Sequence, residues 1–300
     1  MRVACVQYDI VWHDKPANFA KVRSLLAAAG GCEPGGLIVL PEMFSTGFSM
    51  DLQATAEGQF RPAEHSSPKA GVGCGAAGQL RPAEHFLAEL ARHYCCHVLG
   101  GVVNVADDGL GRNEALLLNP AGQEIMRYAK MHPFSYAGEK QYFAPGNAPV
   151  VVDLACREFT EQAPARLSGF VCYDLRFPEV FRSAAMAGAE VLVVIANWPA
   201  SRCEHWRTLL AARAIENQAW VVGVNRAGND PNVSYSGQSM VVDPRGRVAA
   251  EAADGEMVLQ AELDLADLRQ YRREFPAFDD IRPGWVRRIG KKTAEPGTRE

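Results

Sequence analysis

The sequence lacks any uncharged apolar run near the roughly 18 residues that a bilayer span requires; even Val191-Leu192-Val193-Val194-Ile195-Ala196 is only strand-sized. A membrane partner is therefore not expected. It also lacks a surplus of positive charge, since 31 Lys and Arg against 35 Asp and Glu leave a net charge of -4. The cations are scattered along the chain, so no basic stripe is available to neutralise a phosphate backbone, and nucleic acid is not an expected partner. The opening residues, Met1-Arg2-Val3-Ala4-Cys5-Val6-Gln7, show neither a long apolar segment nor a small-residue cleavage site, so a cytoplasmic location is expected. Eight cysteines are spread over 300 residues with no Cys-x-x-Cys spacing. That is neither a disulfide framework nor a thiol redox motif, and most of these cysteines read as small buried hydrophobes. No Pro/Ser/Gly linker divides the chain. With 48% hydrophobic and 22% charged residues, it reads as one globular domain over residues 1–285, followed by a loose charged tail over 286–300.

What is present is an alternation of short apolar runs with helical patterns. Residues 3–8 read as a strand, 14–29 as a helix with an N-cap candidate, an early Pro16 and terminal glycines, and 37–40 as a buried strand, which makes the opening β-α-β. Further on, Pro120-Ala121-Gly122 and Asp243-Pro244-Arg245-Gly246 sit between apolar runs at hairpin spacing. Between these hairpins, apolar runs at 150–154, 167–172, 191–195 and 220–225 alternate with helical patterns at 178–187 and 204–217. An α/β fold with mixed sheets and helices on their outer faces follows.

One octapeptide occurs almost twice: Gly58-Gln59-Phe60-Arg61-Pro62-Ala63-Glu64-His65 returns as Gly78-Gln79-Leu80-Arg81-Pro82-Ala83-Glu84-His85. A solenoid needs several stacked units, so this reads as a local duplication that inserts a mobile surface loop over residues 52–78. The spacer also contains Gly73-Cys74-Gly75-Ala76-Ala77-Gly78. That spacing matches a dinucleotide fingerprint, but no strand precedes it and Pro82 follows, so the match is accidental. His93-Tyr94-Cys95-Cys96-His97 offers soft ligands without a paired second set and spans the end of a helix, so a metal site is not expected.

Three segments carry chemistry. In Leu37-Ile38-Val39-Leu40-Pro41-Glu42-Met43-Phe44 a carboxylate directly follows a buried strand, where desolvation would raise its pKa; a surface Glu opening a loop is the competing reading. In Tyr128-Ala129-Lys130-Met131-His132-Pro133-Phe134 an ammonium leaves a hairpin strand, placed either to meet an oxyanion or simply to be solvated. In Leu167-Ser168-Gly169-Phe170-Val171-Cys172-Tyr173-Asp174-Leu175-Arg176-Phe177-Pro178 a cysteine ends an apolar strand just before a helix. That turn exposes a thiol to backbone N-H groups and a helix dipole, although a buried core cysteine remains the alternative.

Taken together, these segments resemble the nitrilase, or carbon-nitrogen hydrolase, superfamily, from Val3 to about Pro283. The narrower likeness, in Leu40-Pro41-Glu42-Met43-Phe44-Ser45-Thr46-Gly47-Phe48, Asn197-Trp198-Pro199-Ala200-Ser201-Arg202 and Ala212-Arg213-Ala214-Ile215-Glu216-Asn217-Gln218, is to its bacterial omega-amidase branch. The resemblance implies a four-layer α-β-β-α sandwich that forms a homodimer through its helical faces. It implies Cys172 as nucleophile, Glu42 as general base and Lys130 as oxyanion cation, with Glu139 and the Tyr173 backbone N-H in support and neither metal nor cofactor. The implied substrate is a small 2-oxo acid amide such as 2-oxoglutaramate, its carboxylate bound by Arg202 or, less directly, Arg176, between walls formed by Trp198, Phe44 and Tyr136. A deaminated-glutathione amidase, an N-carbamoyl amidohydrolase or a nitrilase would use the same Glu-Lys-Cys set. Tyr173 stands where nitrile enzymes usually carry Trp. A noncatalytic scaffold and a thiol redox protein are the readings from other classes.

Overall fold

A computed structural model describes residues 1–57, 81–154 and 163–282. The strands are β1 (Arg2–Gln7), β2 (Leu37–Val39), β3 (His97–Val105), β4 (Gly111–Leu118), β5 (Glu124–Ala129), β6 (Val152–Leu154), β7 (Ala165–Val171), β8 (Val191–Ala196), β9 (Trp220–Asn225), β10 (Ala227–Asn229), β11 (Ser234–Ser236), β12 (Met240–Val242), β13 (Val248–Glu251) and β14 (Met257–Glu262). The helices are α1 (Lys15–Ala28), α2 (Leu52–Thr55), α3 (Pro82–Tyr94), α4 (Pro178–Met186), α5 (Cys203–Asn217) and α6 (Leu265–Glu274). Two six-stranded mixed sheets result, ordered β14-β1-β2-β3-β4-β5 and β13-β12-β9-β8-β7-β6.

Strand alternation divides the first sheet between two cores. Val3 and Cys5 of β1, Leu37 and Val39 of β2, Leu99 of β3, and Ala115 and Leu117 of β4 face the second sheet. Their neighbours Ala4, Val6, Ile38, Leu40, Val98, Leu116 and Leu118 face α1 and α3, beside Val22, Leu26, Phe86 and Leu90. With α4 and α5 covering the second sheet through Phe181, Trp206 and Leu210, the layers run helix, sheet, sheet, helix, which is the four-layer sandwich expected. The sheets approach closely at Gly169 in β7: a Cβ there would lie 2.8 Å from the Met126 side chain and 3.1 Å from that of Leu99. Among the described residues no helix is long and apolar enough to cross a membrane.

The sequence left some pieces out. β14 closes the first sheet by pairing antiparallel with β1 across the length of the chain, Arg2 opposite Glu262 and Gln7 opposite Met257. Residues 52–57, expected in a mobile insertion, instead carry α2, capped by Asp51 through the Gln53 and Ala54 N-H groups. Glu57 pairs with Lys15 at 2.7 Å and accepts the Ala83 N-H at 2.7 Å. Pro82 to His85 of the second octapeptide copy form the first turn of α3. The rest of the expected insertion, with the Gly73 to Gly78 match, lies outside the described residues, as does the 286–300 tail. His93 is exposed at the end of α3 while His97 is buried in β3, so the two imidazoles diverge.

Candidate active site

Three strands deliver the candidate residues to one place: β5 and β7 end immediately before Lys130 and Cys172, and β2 ends at Val39, with Leu40 and Pro41 between it and Glu42. Leaving β2, Leu40 N-H still bonds Leu99 O at 2.8 Å, and Gly101 N-H bonds Pro41 O at 3.1 Å. Glycine is required at 101, since a Cβ would lie 2.4 Å from Met43 N and 2.6 Å from Glu42 Cα. The chain then turns sharply, with Met43 at φ +44°, which sends Glu42 and Phe44 to opposite sides. Lys130 leaves β5 with its N-H on Asn113 O at 2.8 Å and its carbonyl receiving Gly146 N-H at 2.9 Å. Cys172 leaves β7 at φ +46°, a left-handed conformation that costs a residue other than glycine of order 1–3 kcal/mol and persists where the surroundings enforce it.

The side chains converge. Lys130 Nζ, buried, lies 3.0 Å from Glu42 Oε1 and 2.8 Å from Glu139 Oε2. Asn113 Nδ2 donates to both carboxylates, 2.8 Å to Glu42 and 2.9 Å to Glu139. The second Glu42 oxygen accepts from Asn197 N-H at 2.8 Å and Asn197 Nδ2 at 3.2 Å. Cys172, partly buried, rests its thiol 3.9 Å from Asn197 O. Glu139 also accepts the Phe134 N-H, which fixes the turn after Lys130.

The electrostatics follow from this ring of donors. Burial pushes Glu42 up, but the Lys130 charge and the hydrogen bonds from Asn113, Lys130 and Asn197 outweigh it and hold the carboxyl below its ordinary value. The raised value expected from desolvation alone is thus corrected. Burial disfavours the Lys130 ammonium, yet Glu139 and Glu42 more than restore it, and its pKa lies above the usual lysine range. Cys172 is raised well above the ordinary thiol value by burial first and the Glu42 charge second, against the lowering effect of Lys130. A resting thiolate would add a negative charge beside the Glu42 carboxylate. The direction of that shift favours the thiol in the resting site.

Cys172 and Lys130 open into a cavity of about 450 Å³. Tyr173, Arg176, Trp198 and Arg202 line one side; Trp12, Phe48, Met50 and Tyr235 line another. Tyr136 stands at the mouth, 88% exposed. Trp198 is nearly buried, donates Nε1-H to Arg202 O at 2.8 Å and lies 4.9 Å beneath the Arg176 guanidinium. Arg202 rests over the Phe134 ring at 5.6 Å. Phe44 is the exception: it is fully buried on the helix side, with its ring 5.9 Å from Phe86 and 6.1 Å from Phe19. The turn at Met43 that directs the buried Glu42 onto Lys130 and Asn197 behind the cavity sends Phe44 to the helix side. Asn113 escaped the sequence reading, although a polar residue interrupting the apolar face of β4 was its visible signal.

A two-sheet α/β sandwich with Lys130 and Cys172 at one cavity and Glu42 bonded to Lys130 behind it fits a class of hydrolase, and the comparisons identify the family. The carbon-nitrogen hydrolase profile matches residues 2–273. A 2-oxoglutaramate amidase of Bacillus subtilis is 31% identical over 93% of this chain and 97% of its own. Omega-amidase YafV of Escherichia coli K12 is 35% identical over 93% of this chain and 96% of its own. A solved structure from Xanthomonas campestris, XC1258, described as a CN-hydrolase superfamily protein with an arsenic adduct in its active site, superposes with a TM-score of 0.76. It is 29% identical and covers 94% of this chain and 97% of its own. The chain belongs to the carbon-nitrogen hydrolase family and is an enzyme acting on carbon-nitrogen bonds.

Proposed function

We propose that this enzyme is an amidase that releases ammonia from the terminal amide of a small 2-oxo acid, 2-oxoglutaramate being the type substrate, through a thioester on Cys172. The observation that carries the reading is a buried Lys130 held between Glu42 and Glu139 beside a thiol, in a cavity whose rim presents Arg176 and Arg202. Neither arginine is in an ion pair with a carboxylate among the described residues. Arg176 meets His205 Nδ1 at 3.1 Å, and a guanidinium without a carboxylate partner at a pocket wall suits an anionic substrate end. The similarity to amidases of 2-oxo acid amides supports the same choice.

In the first half-reaction Cys172 Sγ bonds to the amide carbon while its proton passes to Glu42. The oxyanion meets the Lys130 ammonium and the Tyr173 N-H. The carbon-nitrogen bond then breaks as nitrogen takes the proton from Glu42, and ammonia departs. In the second half Glu42 takes a proton from water as its oxygen bonds to the thioester carbon; the carbon-sulfur bond breaks, the sulfur is reprotonated and the carboxylic acid leaves. Glu139 and Asn113 hold Lys130 and Glu42 in place. A homodimer formed through the helical faces belongs to the same proposal, with Met186 and Ile215 exposed on α4 and α5.

One observation favours a second reading. A cavity of about 450 Å³ falls within the range that encloses a drug-sized ligand, and its Trp12, Phe48 and Met50 side offers apolar room beyond a five-carbon amide. A longer amide of the deaminated-glutathione type would use that room. Ammonia release from 2-oxoglutaramate, from longer 2-oxo acid amides, from ureides and from nitriles, each beside a Cys172→Ala control, tests both. Turnover by the Cys172→Ala protein would refute the thioester mechanism, and preference for a nitrile or ureide would refute the substrate.

A further inference from the structure

Asp174 lies two residues beyond Cys172, fully buried, and the chemistry above leaves it unused. Its carboxylate is nonetheless fully engaged. Tyr128 Oη donates to Oδ2 at 2.8 Å and Val171 N-H to the same oxygen at 3.2 Å. His132 N-H donates to Oδ1 at 2.9 Å, and His132 Nδ1 lies 2.9 Å from that oxygen.

The positions of these partners are telling. Tyr128 and His132 stand two residues before and two residues after Lys130, while Val171 precedes Cys172. One carboxylate therefore grips both flanks of the cation and the root of the nucleophile. The stacking of His132 on Phe177, 3.7 Å between ring centres, ties the same two segments again. The Glu42 side has its own tether to the sulfur through Asn197, which bonds Glu42 at 2.8 Å and stands 3.9 Å from Sγ through its carbonyl. For the Lys130 side, the link is Asp174. The carbonyl of Asp174 also accepts Phe177 N-H at 2.9 Å, closing the turn that follows Cys172.

We propose that Asp174 is a positioning residue that sets the separation of the Lys130 ammonium from the Cys172 sulfur by clamping the segment after β5 to the turn after β7. The proposal rests on the reading of Cys172 as nucleophile and Lys130 as oxyanion cation. Asp174 touches no substrate and acts through Lys130.

The test uses the full-length protein and its Asp174→Asn, Lys130→Met, Asp174→Asn/Lys130→Met, Tyr128→Phe and Cys172→Ala variants. It reads kcat and KM for ammonia release, and the pH profile of Cys172 alkylation by iodoacetamide, followed on the peptide containing that residue. Misplacing a reacting group by about 1 Å can cost about 100-fold in rate, so Asp174→Asn should lose on that order in kcat while KM stays within about two-fold. Its alkylation profile should move to higher pH, as that of Lys130→Met does, and the double variant should move no further than Lys130→Met alone. Deleting a negative charge beside a thiol would by itself move the profile to lower pH, so the direction separates positioning from simple electrostatics. Additive displacements, or an Asp174→Asn protein with wild-type kcat and alkylation, would overturn the inference. Should Asp174→Asn not fold, Tyr128→Phe removes one donor and keeps the carboxylate. A smaller displacement in the same direction supports the clamp, and an unchanged profile with unchanged kcat overturns it. Ammonia release by Cys172→Ala would instead remove the underlying reading.

Discussion

Replacing Glu42 by Gln should make Cys172 more reactive toward an alkylating agent while nearly abolishing turnover. The carboxylate accepts from Lys130 at 3.0 Å, from Asn113 at 2.8 Å and from Asn197 at 2.8 and 3.2 Å. A carboxamide retains one acceptor oxygen and turns an NH2 group toward donors on its other side. Hydrogen bonds involving charged groups contribute about 1.5–3 kcal/mol each, so the fold loses a few kcal/mol, part of it offset because a buried negative charge is removed. Loss of a general base typically costs about 10²–10⁴ in rate, and the upper end is expected because in the proposed mechanism Glu42 serves both half-reactions. After burial, the Glu42 charge is the main influence that raises the Cys172 thiol, and the Lys130 charge lowers it. With Glu42 neutral, Lys130 acts against one carboxylate fewer and the thiolate forms at lower pH. Both quantities are measured on one preparation, as ammonia release and as iodoacetamide modification of the Cys172 peptide across the range in which thiols titrate, about pH 6 to about pH 10. Alkylation that slows together with turnover, or turnover within ten-fold of wild type, would refute the reasoning.

Exposed Cys95 should be alkylated before Cys172 in the wild-type protein at neutral pH, which peptide mapping at short times will show. Arg202→Met should raise KM for anionic amides by about 10- to 100-fold, the equivalent of a charge-assisted hydrogen bond, and leave neutral amides unchanged; equal effects on both would remove Arg202 from substrate binding. Phe44→Ala should cost about 3–5 kcal/mol of stability as a core truncation, read by denaturant unfolding, with KM unaltered because the ring lies outside the cavity. The folded Glu42 carboxyl sits below its ordinary value of 4.5, so its contribution to stability is complete above that pH and is lost as pH falls through the lower folded value. The Lys130 contribution is complete below 10.5 and is lost only at more alkaline pH. Thermal unfolding against pH should therefore show wild type and Glu42→Gln converging in acid, and parallel curves would contradict the assignment.

The local pattern of residues determined much of this protein. Apolar runs of strand length, Pro and Gly at hairpin turns, and capped helical segments specified an α/β chain whose Glu42, Lys130 and Cys172 each follow a strand. Strand ends are legible because the change from an apolar run to a polar residue is written in adjacent positions. Tertiary structure decided what depended on distance along the chain: that β14 would complete the first sheet beside β1, that Leu52–Thr55 would form a capped helix anchored through Glu57 to Lys15 and Ala83, and that Phe44 would enter the helix-side core. It also decided the electrostatics. Desolvation, which acts on a residue by itself, would raise Glu42; Asn113, Lys130 and Asn197 arrive from remote segments and reverse the sign. Burial can be guessed from neighbours in sequence, but a hydrogen-bond partner 71 or 155 residues away exists only once the chain has folded.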